Sequence, residues 1–219
     1  MILKTKELFD LNHTMASELL CGCEYPHEAL PRIGDYIKNV IIPSLDGSYR
    51  EIADGVYAAE DAKIWDGVTM VGPTVIGHGA EIRPGAFIRG NALIGDGAVI
   101  GNSTEVKNAI VFDGAQLPHY NYVGDSIIGY KAHMGAGAIA SNLRLDKKEI
   151  VLRDSDESMD SGLRKIGVFL GDFAEVGCGS VLCPGSIVGR EALVYPLSCV
   201  RGTVPAHTIY NGKSIKERR

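Results

Sequence analysis

Residues 74–106 read TVIGHGAEIRPGAFIRGNALIGDGAVIGNSTEV, and in them an aliphatic side chain returns at every sixth position: Ile76, Ile82, Ile88, Ile94, Ile100 and Val106. The series runs back to Ile64 and Met70 and on to Phe112 with no slip in register. Two residues before most of its members sits a small residue, as at Thr74, Ala80, Ala86, Ala92, Ala98 and Thr104. A second ladder follows the same rule through Leu170, Val176, Leu182, Val188, Val194 and Val200. A period of six fits neither a helical repeat nor a simple hairpin. It fits a two- to three-residue strand whose alternate side chains face inward, followed by a tight corner. Three such units close one triangular coil, and glycines such as Gly79, Gly97 and Gly179 supply corners that need positive φ. The alternative, an antiparallel meander, does not explain so many repeats in one register.

The reading is therefore an all-β chain, a parallel β-helix of hexapeptide repeats over residues 46–210. Residues 1–45 precede it as a small helical cap and residues 211–219 follow as a tail. Helices are expected over Lys6–Cys21 and His27–Ile42, where apolar residues recur irregularly, and the segment would close the open end of the coil stack against edge pairing. Coils stacked at about 4.8 Å place residues eighteen apart directly above one another.

Composition bounds the function. A net charge of −5 gives no basic footprint for a nucleic-acid backbone. No apolar stretch is long enough to span a membrane, and the first ten residues, with Lys4, Lys6, Glu7 and Asp10, do not read as a signal peptide. Five cysteines, an odd number in a chain with its own core, argue against a disulfide framework and for a cytoplasmic protein.

The ladder breaks over Ala115–Tyr122 and again over Leu143–Lys165, and irregular excursions from a regular scaffold are where function concentrates. Around these breaks stand LPHYNYVGDSIIG (117–129), HMGAGAIASNLRLDKK (133–148) and SGLRKIGVFLGD (161–172). The first two resemble the acetyltransferase half of the bifunctional enzyme that makes UDP-N-acetylglucosamine. The third is similar to archaeal relatives that N-acetylate amino-sugar 1-phosphates. The resemblance covers roughly residues 60–205. It implies a left-handed coil, a homotrimer with sites shared between subunits, acetyl-CoA as co-substrate, and glucosamine 1-phosphate or galactosamine 1-phosphate as acceptor, in UDP-N-acetylglucosamine biosynthesis. No phosphate-cradling glycine loop follows an opening strand, so the uridylyltransferase domain of the bifunctional enzymes is expected to be missing.

An amine attacks a thioester only when unprotonated, and a histidine has the intrinsic pKa to accept its proton near neutrality. The resemblance places His119 at the family's catalytic histidine and Glu105 at a matching glutamate. With Val106 inward, Glu105 points outward, where it would orient His119 or else be a solvated carboxylate. Arg89 and Lys107, eighteen residues apart, stack as a phosphate clamp by spacing. The family's arginine lies in an Arg-Pro-Gly motif, found here at Arg83, so Arg83 and Arg89 are both candidates. Tyr122, Asn142 and Lys148 match groups that line the amino-sugar site, Asn142 being also a donor to the developing oxyanion. His133 stands where the family has an asparagine that contacts substrate. Ala136, Cys178 and Pro196 fall at positions that line acetyl-CoA, the last two departing from the small residues expected there, and Lys213 would meet a CoA phosphate.

Two other readings compete. A γ-type carbonic anhydrase shares the fold but needs three converging histidines, and His78, His119 and His133 lack the short spacing; no metal is implied. A catalytically silent scaffold or regulatory sugar-nucleotide-binding subunit is the alternative from another class, because the fold alone does not dictate activity.

Overall fold

The computed structural model describes residues 2–218. Its body is the expected β-helix of three parallel faces, reached because each coil can bury one aliphatic and one small residue per side. The first face carries Val56–Ala59, Thr74–Ile76, Ala92–Ile94, the second half of Glu105–Val111, the second half of Tyr122–Ile128, Val168–Leu170, Ser186–Val188 and Thr203–Val204. The second face runs from Lys63–Ile64 through Glu81–Ile82, Val99–Asn102, Gln116–His119, His133–Met134, Glu175–Val176 and Leu193–Val194 to Thr208–Tyr210. The third includes Thr69–Met70, Phe87–Ile88, the starts of Glu105–Val111 and Tyr122–Ile128, then Ile139–Ala140, Val181–Leu182 and Cys199–Val200. The interior is a continuous column of Ile82, Ile88, Ile94, Ile100, Val106, Leu117, Val123, Met134 and their equivalents, all without solvent exposure. Buried hydroxyls at the small positions are satisfied locally: Thr104 donates to the Leu117 carbonyl at 3.1 Å and Ser180 to the Tyr195 carbonyl at 3.1 Å.

The register does slip, contrary to the sequence reading. Ile76 pairs with Ile94 eighteen residues on, but Ala109 pairs with Ser126 and Gln116 with His133, seventeen on. One corner in each of these coils is short by a residue, at Asn108 and at Asp125, both with φ near +50°. The inward residue after Val106 is thus Val111 rather than Phe112, and Leu117 and Val123 follow. The apparent break at Ala115–Tyr122 is in consequence regular ladder: Gln116–His119 pairs with Val99–Asn102 in parallel. Pro118 and Gly124 looked like defects only because they fall on the unslipped count.

The second break is real. Between Asn142 and Ile166 the chain leaves the ladder, forms the antiparallel hairpin Val151–Arg153 with Ser158–Asp160, and re-enters so that Ile127 pairs with Phe169. The acidic stretch 154–160 holds the hairpin's turn and its second strand.

The N-terminal segment is helical, in short pieces from Thr5–Leu8 to a continuous run over residues 26–44. It lies along the flank of the first face and not over the open end. Ile2, Leu8, Phe9, Leu19, Leu20, Leu30, Ile33 and Ile37 pack on the outward residues Val75, Leu93, Ile110, Ile127, Phe169 and Ile187. An apolar outer column on that face leaves no other place for an amphipathic segment to bury itself. The open end is instead covered by Tyr49–Ala53, antiparallel to Val56–Ala59, and the far end by Ile215–Glu217, antiparallel to Thr208–Tyr210. Ile215–Glu217, within the residues expected as a tail, thus form the last strand.

Phe112 occupies the corner position that Gly95 and Gly129 hold in neighbouring coils, and its ring meets Phe9 at 5.2 Å. Truncation to alanine removes a fully buried ring, so Phe112→Ala is expected to cost about 3–5 kcal/mol in denaturant unfolding; a loss under about 1 kcal/mol would contradict the flank packing. His27 is buried with its Nδ1 unpartnered among the described residues, and burial lowers its pKa. The unfolded chain then takes up a proton that the folded one refuses. Stability contributed at His27 should fall as pH drops below about 6.5, the ordinary imidazole value. Comparing urea midpoints of wild type and His27→Gln from pH 8 to 5 checks this: the variant should lose less stability toward acid.

Candidate active site

The corner between the second and third faces aligns one residue from each successive coil. Register places Pro84, Asn102, His119, Ala136, Cys178 and Pro196 in a single column, tied by backbone bonds from Gly137 to His119, Gly179 to Ala136 and Leu197 to Cys178 at 2.9–3.0 Å. Lys213, in the turn between the last two strands, continues past Pro196 at the same corner. The four residues that the sequence assigned to base and co-substrate, His119, Ala136, Cys178 and Pro196, are thus in line. Close approach at Gly135 serves the scaffold: a Cβ there would lie 2.7 Å from the Cys178 amide of the next coil.

His119 is exposed, at the end of a strand, and not on a loop as the sequence suggested. Its backbone is fixed: the amide donates to Asn121 Oδ1 at 3.2 Å, and the buried Asn121 donates from Nδ2 to the Gly135 and Ala138 carbonyls at 2.9 and 3.1 Å. Among the described residues nothing hydrogen-bonds or ion-pairs with the imidazole. Glu105 in particular does not orient it, because its carboxylate is taken by Arg89 Nη1 at 2.5 Å. The guanidinium lies in the adjacent coil, Arg89 beside Lys107.

On the third face a second cluster forms around Asp125, a residue the sequence reading passed over. Its buried carboxylate accepts from Asn108 Nδ2 at 2.9 Å and Asn142 Nδ2 at 2.6 Å, and Lys107 Nζ stands 3.8 Å away. The Tyr122 hydroxyl and the Asn142 amide both lie over Gly124, where a Cβ would come within 2.5 and 2.8 Å of them. Burial, and then the charges of Glu105 and Asp125, push the Tyr122 phenol up, so it stays a donor at neutral pH. Asp125 was detectable only as a non-glycine at a short corner, a signal hidden until the slip was known.

Arg89 and Lys107 do stack on one face in adjacent coils, but each cation already faces a carboxylate, Glu105 and Asp125 respectively. Arg83 lies on the second face, bound to Glu81 at 3.1 Å. His133 is on that face too, its Nδ1 2.9 Å from Glu175, in a shallow groove apart from the Asp125 cluster. Lys148 is exposed on the insertion and engages Asp146 only through its backbone amide. His78 pairs with Asp61 at 2.9 Å, and no group of three or more His, Cys, Asp or Glu among the described residues is arranged to hold a metal. No helix among them is long and apolar enough to cross a membrane.

Residues 70–218 match the family model described as the GMPPB C-terminal domain. The chain belongs to that family. Its membership covers the coils that carry both clusters. Among curated proteins it is 37% identical over 102 residues to a bifunctional sugar-1-phosphate nucleotidylyltransferase/acetyltransferase of Sulfurisphaera tokodaii, covering 47% of this chain and 25% of that one. It is 38% identical over 93 residues to the bifunctional protein GlmU of Methanocaldococcus jannaschii, covering 42% and 22%. The match thus spans about a quarter of the length of these relatives, and it bears out the resemblance read from the two motifs. Among solved structures, the acetyltransferase domain of PglB from Neisseria gonorrhoeae with acetyl coenzyme A aligns over 74% of this chain and 57% of its own, at 13% identity and a TM-score of 0.34.

Removing the Asp125 carboxylate strands two amide donors. Asp125→Ala is expected to lose about 1–3 kcal/mol of stability. It should also lower the Tyr122 phenol pKa, read from the tyrosine NMR signal that Tyr122→Phe abolishes. An unmoved Tyr122 titration would mean the two groups do not share a site.

Proposed function

We propose that this chain is an acetyl-CoA-dependent N-acetyltransferase acting on an amino sugar with a phosphate at its anomeric carbon, glucosamine 1-phosphate or galactosamine 1-phosphate. The observation that carries the reading is the column His119, Ala136, Cys178, Pro196, whose exposed imidazole lies one corner away, in the same coil, from Tyr122 of the Lys107, Tyr122, Asp125 and Asn142 cluster. Acetyl-CoA would lie along that corner, which in a homotrimer would be walled by the neighbouring β-helix.

The chemistry follows from the groups present. The acceptor amine adds through its lone pair to the thioester carbonyl carbon, His119 takes the proton that the nitrogen sheds, and the carbonyl oxygen becomes an oxyanion. Collapse of the adduct breaks the C–S bond, and the departing CoA thiolate receives the proton from the imidazolium. Asn142, held by Asp125, is a fixed amide rather than a mobile one, and it and the Tyr122 hydroxyl offer polar contacts to the sugar. A phosphate between Arg89 and Lys107 would compete with Glu105 and Asp125 for their charge. Binding therefore needs one pair to open, and the Arg89–Glu105 pair, more open to solvent than Lys107–Asp125, is the one water screens and exchanges more readily.

The experiment is thiol release from acetyl-CoA with each sugar phosphate, comparing wild type and His119→Ala. The expected result is turnover by wild type and a fall of about 100-fold or more in kcat for the variant, with acetyl-CoA still bound. A folded wild type that turns over neither sugar would set aside this acceptor class and favour another acceptor or a silent scaffold.

A further inference from the structure

The insertion does more than interrupt the ladder: it builds a second wall against the third face. Ile150 and Leu152 of the hairpin are buried, and they pack so closely on the coil that a Cβ at Gly185 would come within 2.7 Å of Ile150 and 3.1 Å of Leu152. Thr203 Oγ1 donates to the Arg153 carbonyl at 2.8 Å, and the same carbonyl lies 3.1 Å from where a Cβ on Gly202 would stand. The hairpin strand is thereby pinned beside residues 202 and 203. Between wall and face is a cleft of about 650 Å³ that opens at Ser141, next to Asn142.

Two features define what this cleft accepts. Arg153 from the hairpin and Arg201 from the third face reach it from opposite sides, and among the described residues neither has a carboxylate partner, whereas Arg144 in the same cleft is held by Asp146 at 2.7–2.8 Å. Arg201 lies beside Cys183, whose thiol is pushed up by burial and by Cys199 and so brings no charge to neutralise it. Ser141 and the Asp146 carboxylate paired with Arg144 are the other polar groups of the lining; the remainder is apolar, with Leu143, Leu145 and Val181 all more than one third exposed. Guanidinium groups without a carboxylate partner select phosphate oxygens, and exposed apolar walls select a flat, poorly hydrated body. A bare hexose phosphate offers one phosphate and no such body.

We infer that this cleft is a nucleoside diphosphate site, which, under the acetyl-transfer reading above but with a nucleotide on the acceptor's anomeric phosphate in place of the bare sugar 1-phosphate, holds the nucleotide end of that amino sugar while its amine reaches the corner at His119. The cleft lies on the opposite side of the third face from the column of Ala136, Cys178 and Pro196, so acceptor and co-substrate would occupy different edges of one face.

Calorimetric titration of the full chain with UDP, GDP and acetyl-CoA, repeated on Arg153→Gln, Arg201→Gln and the double variant, decides the matter. Both arginines are exposed, so the variants should fold as wild type does. The expected result is binding of at least one nucleoside diphosphate, weakened tenfold or more by each substitution and abolished by both, with acetyl-CoA affinity unchanged. Absence of nucleotide binding, or binding indifferent to the double substitution, would overturn the assignment. So would a parallel loss of acetyl-CoA affinity, which would give the cleft to the phosphorylated adenosine of CoA. Titration requires no turnover, so the two readings fail separately. A chain that acetylates glucosamine 1-phosphate yet ignores UDP and GDP loses the cleft and keeps the reaction; one that binds them through the arginines but transfers no acetyl group keeps the cleft and loses the reaction.

Discussion

Everything distinctive in this molecule depends on two corners that are one residue short. At Asn108 and Asp125 the strand passes from the third face to the first without a break, with φ of 47° and 49°. Non-glycine residues take that conformation reluctantly, asparagine and aspartate least so, because their short polar side chains bond locally. Here the bonding joins one coil to the next: Asn108 donates to Asp125, which also accepts from Asn142. Each missing residue shifts everything downstream by one. Phe112 is thrown out of the interior column and into the corner, where it meets Phe9, and Asn108 reaches across to the Leu30 carbonyl. The same two positions thus anchor the N-terminal segment and create the only buried carboxylate described on the third-face side of the coil stack.

The repeat was legible because its physics is local. An inward aliphatic residue with a small partner two before it is a statement about one strand, and most of the positions so identified lie in the interior. The slip was not legible because a six-residue count has no way to notice a five-residue corner when Phe112, itself apolar, falls on the next expected place. Once the count is off by one, Pro118 and Gly124 read as defects and His119 as a loop residue. The helical segment was legible as helix from its broken apolar spacing, yet its position was not. Which surface it covers is decided by the outward column Val75, Leu93, Ile110, Ile127, Phe169 and Ile187, and those residues signal a buried flank only after the inward set is fixed.

Site residues divide along the same line. The stacking of Arg89 on Lys107 follows from counting eighteen residues, because both lie before the first short corner; the column of His119, Ala136, Cys178 and Pro196 came from the resemblance, and a count of eighteen would have missed it. Side-chain partnerships follow from neither. Glu105 has an arginine on one side and a histidine beyond the corner on the other, and a guanidinium within hydrogen-bonding distance wins over an imidazole that has to be reached around a turn. His133 and Arg83 entered as site candidates through the resemblance; they lie on the second face, paired with Glu175 and Glu81.

The insertion explains how such a rigid scaffold acquires selectivity. Residues 143–165 leave and rejoin the ladder between strands that stay in register, Ile127 against Phe169 and Tyr122 against Ile139, so their length and content are free of the packing constraints that govern the coils. A wall added this way alters what fits beside Asn142 without moving Asp125, Lys107 or the corner that presents His119. Changes in the insertion therefore act on the cleft alone, while changes in the corners act on every element at once through the shared register. That separation places variation in the cleft in the part of the chain where substitution is least costly to the fold.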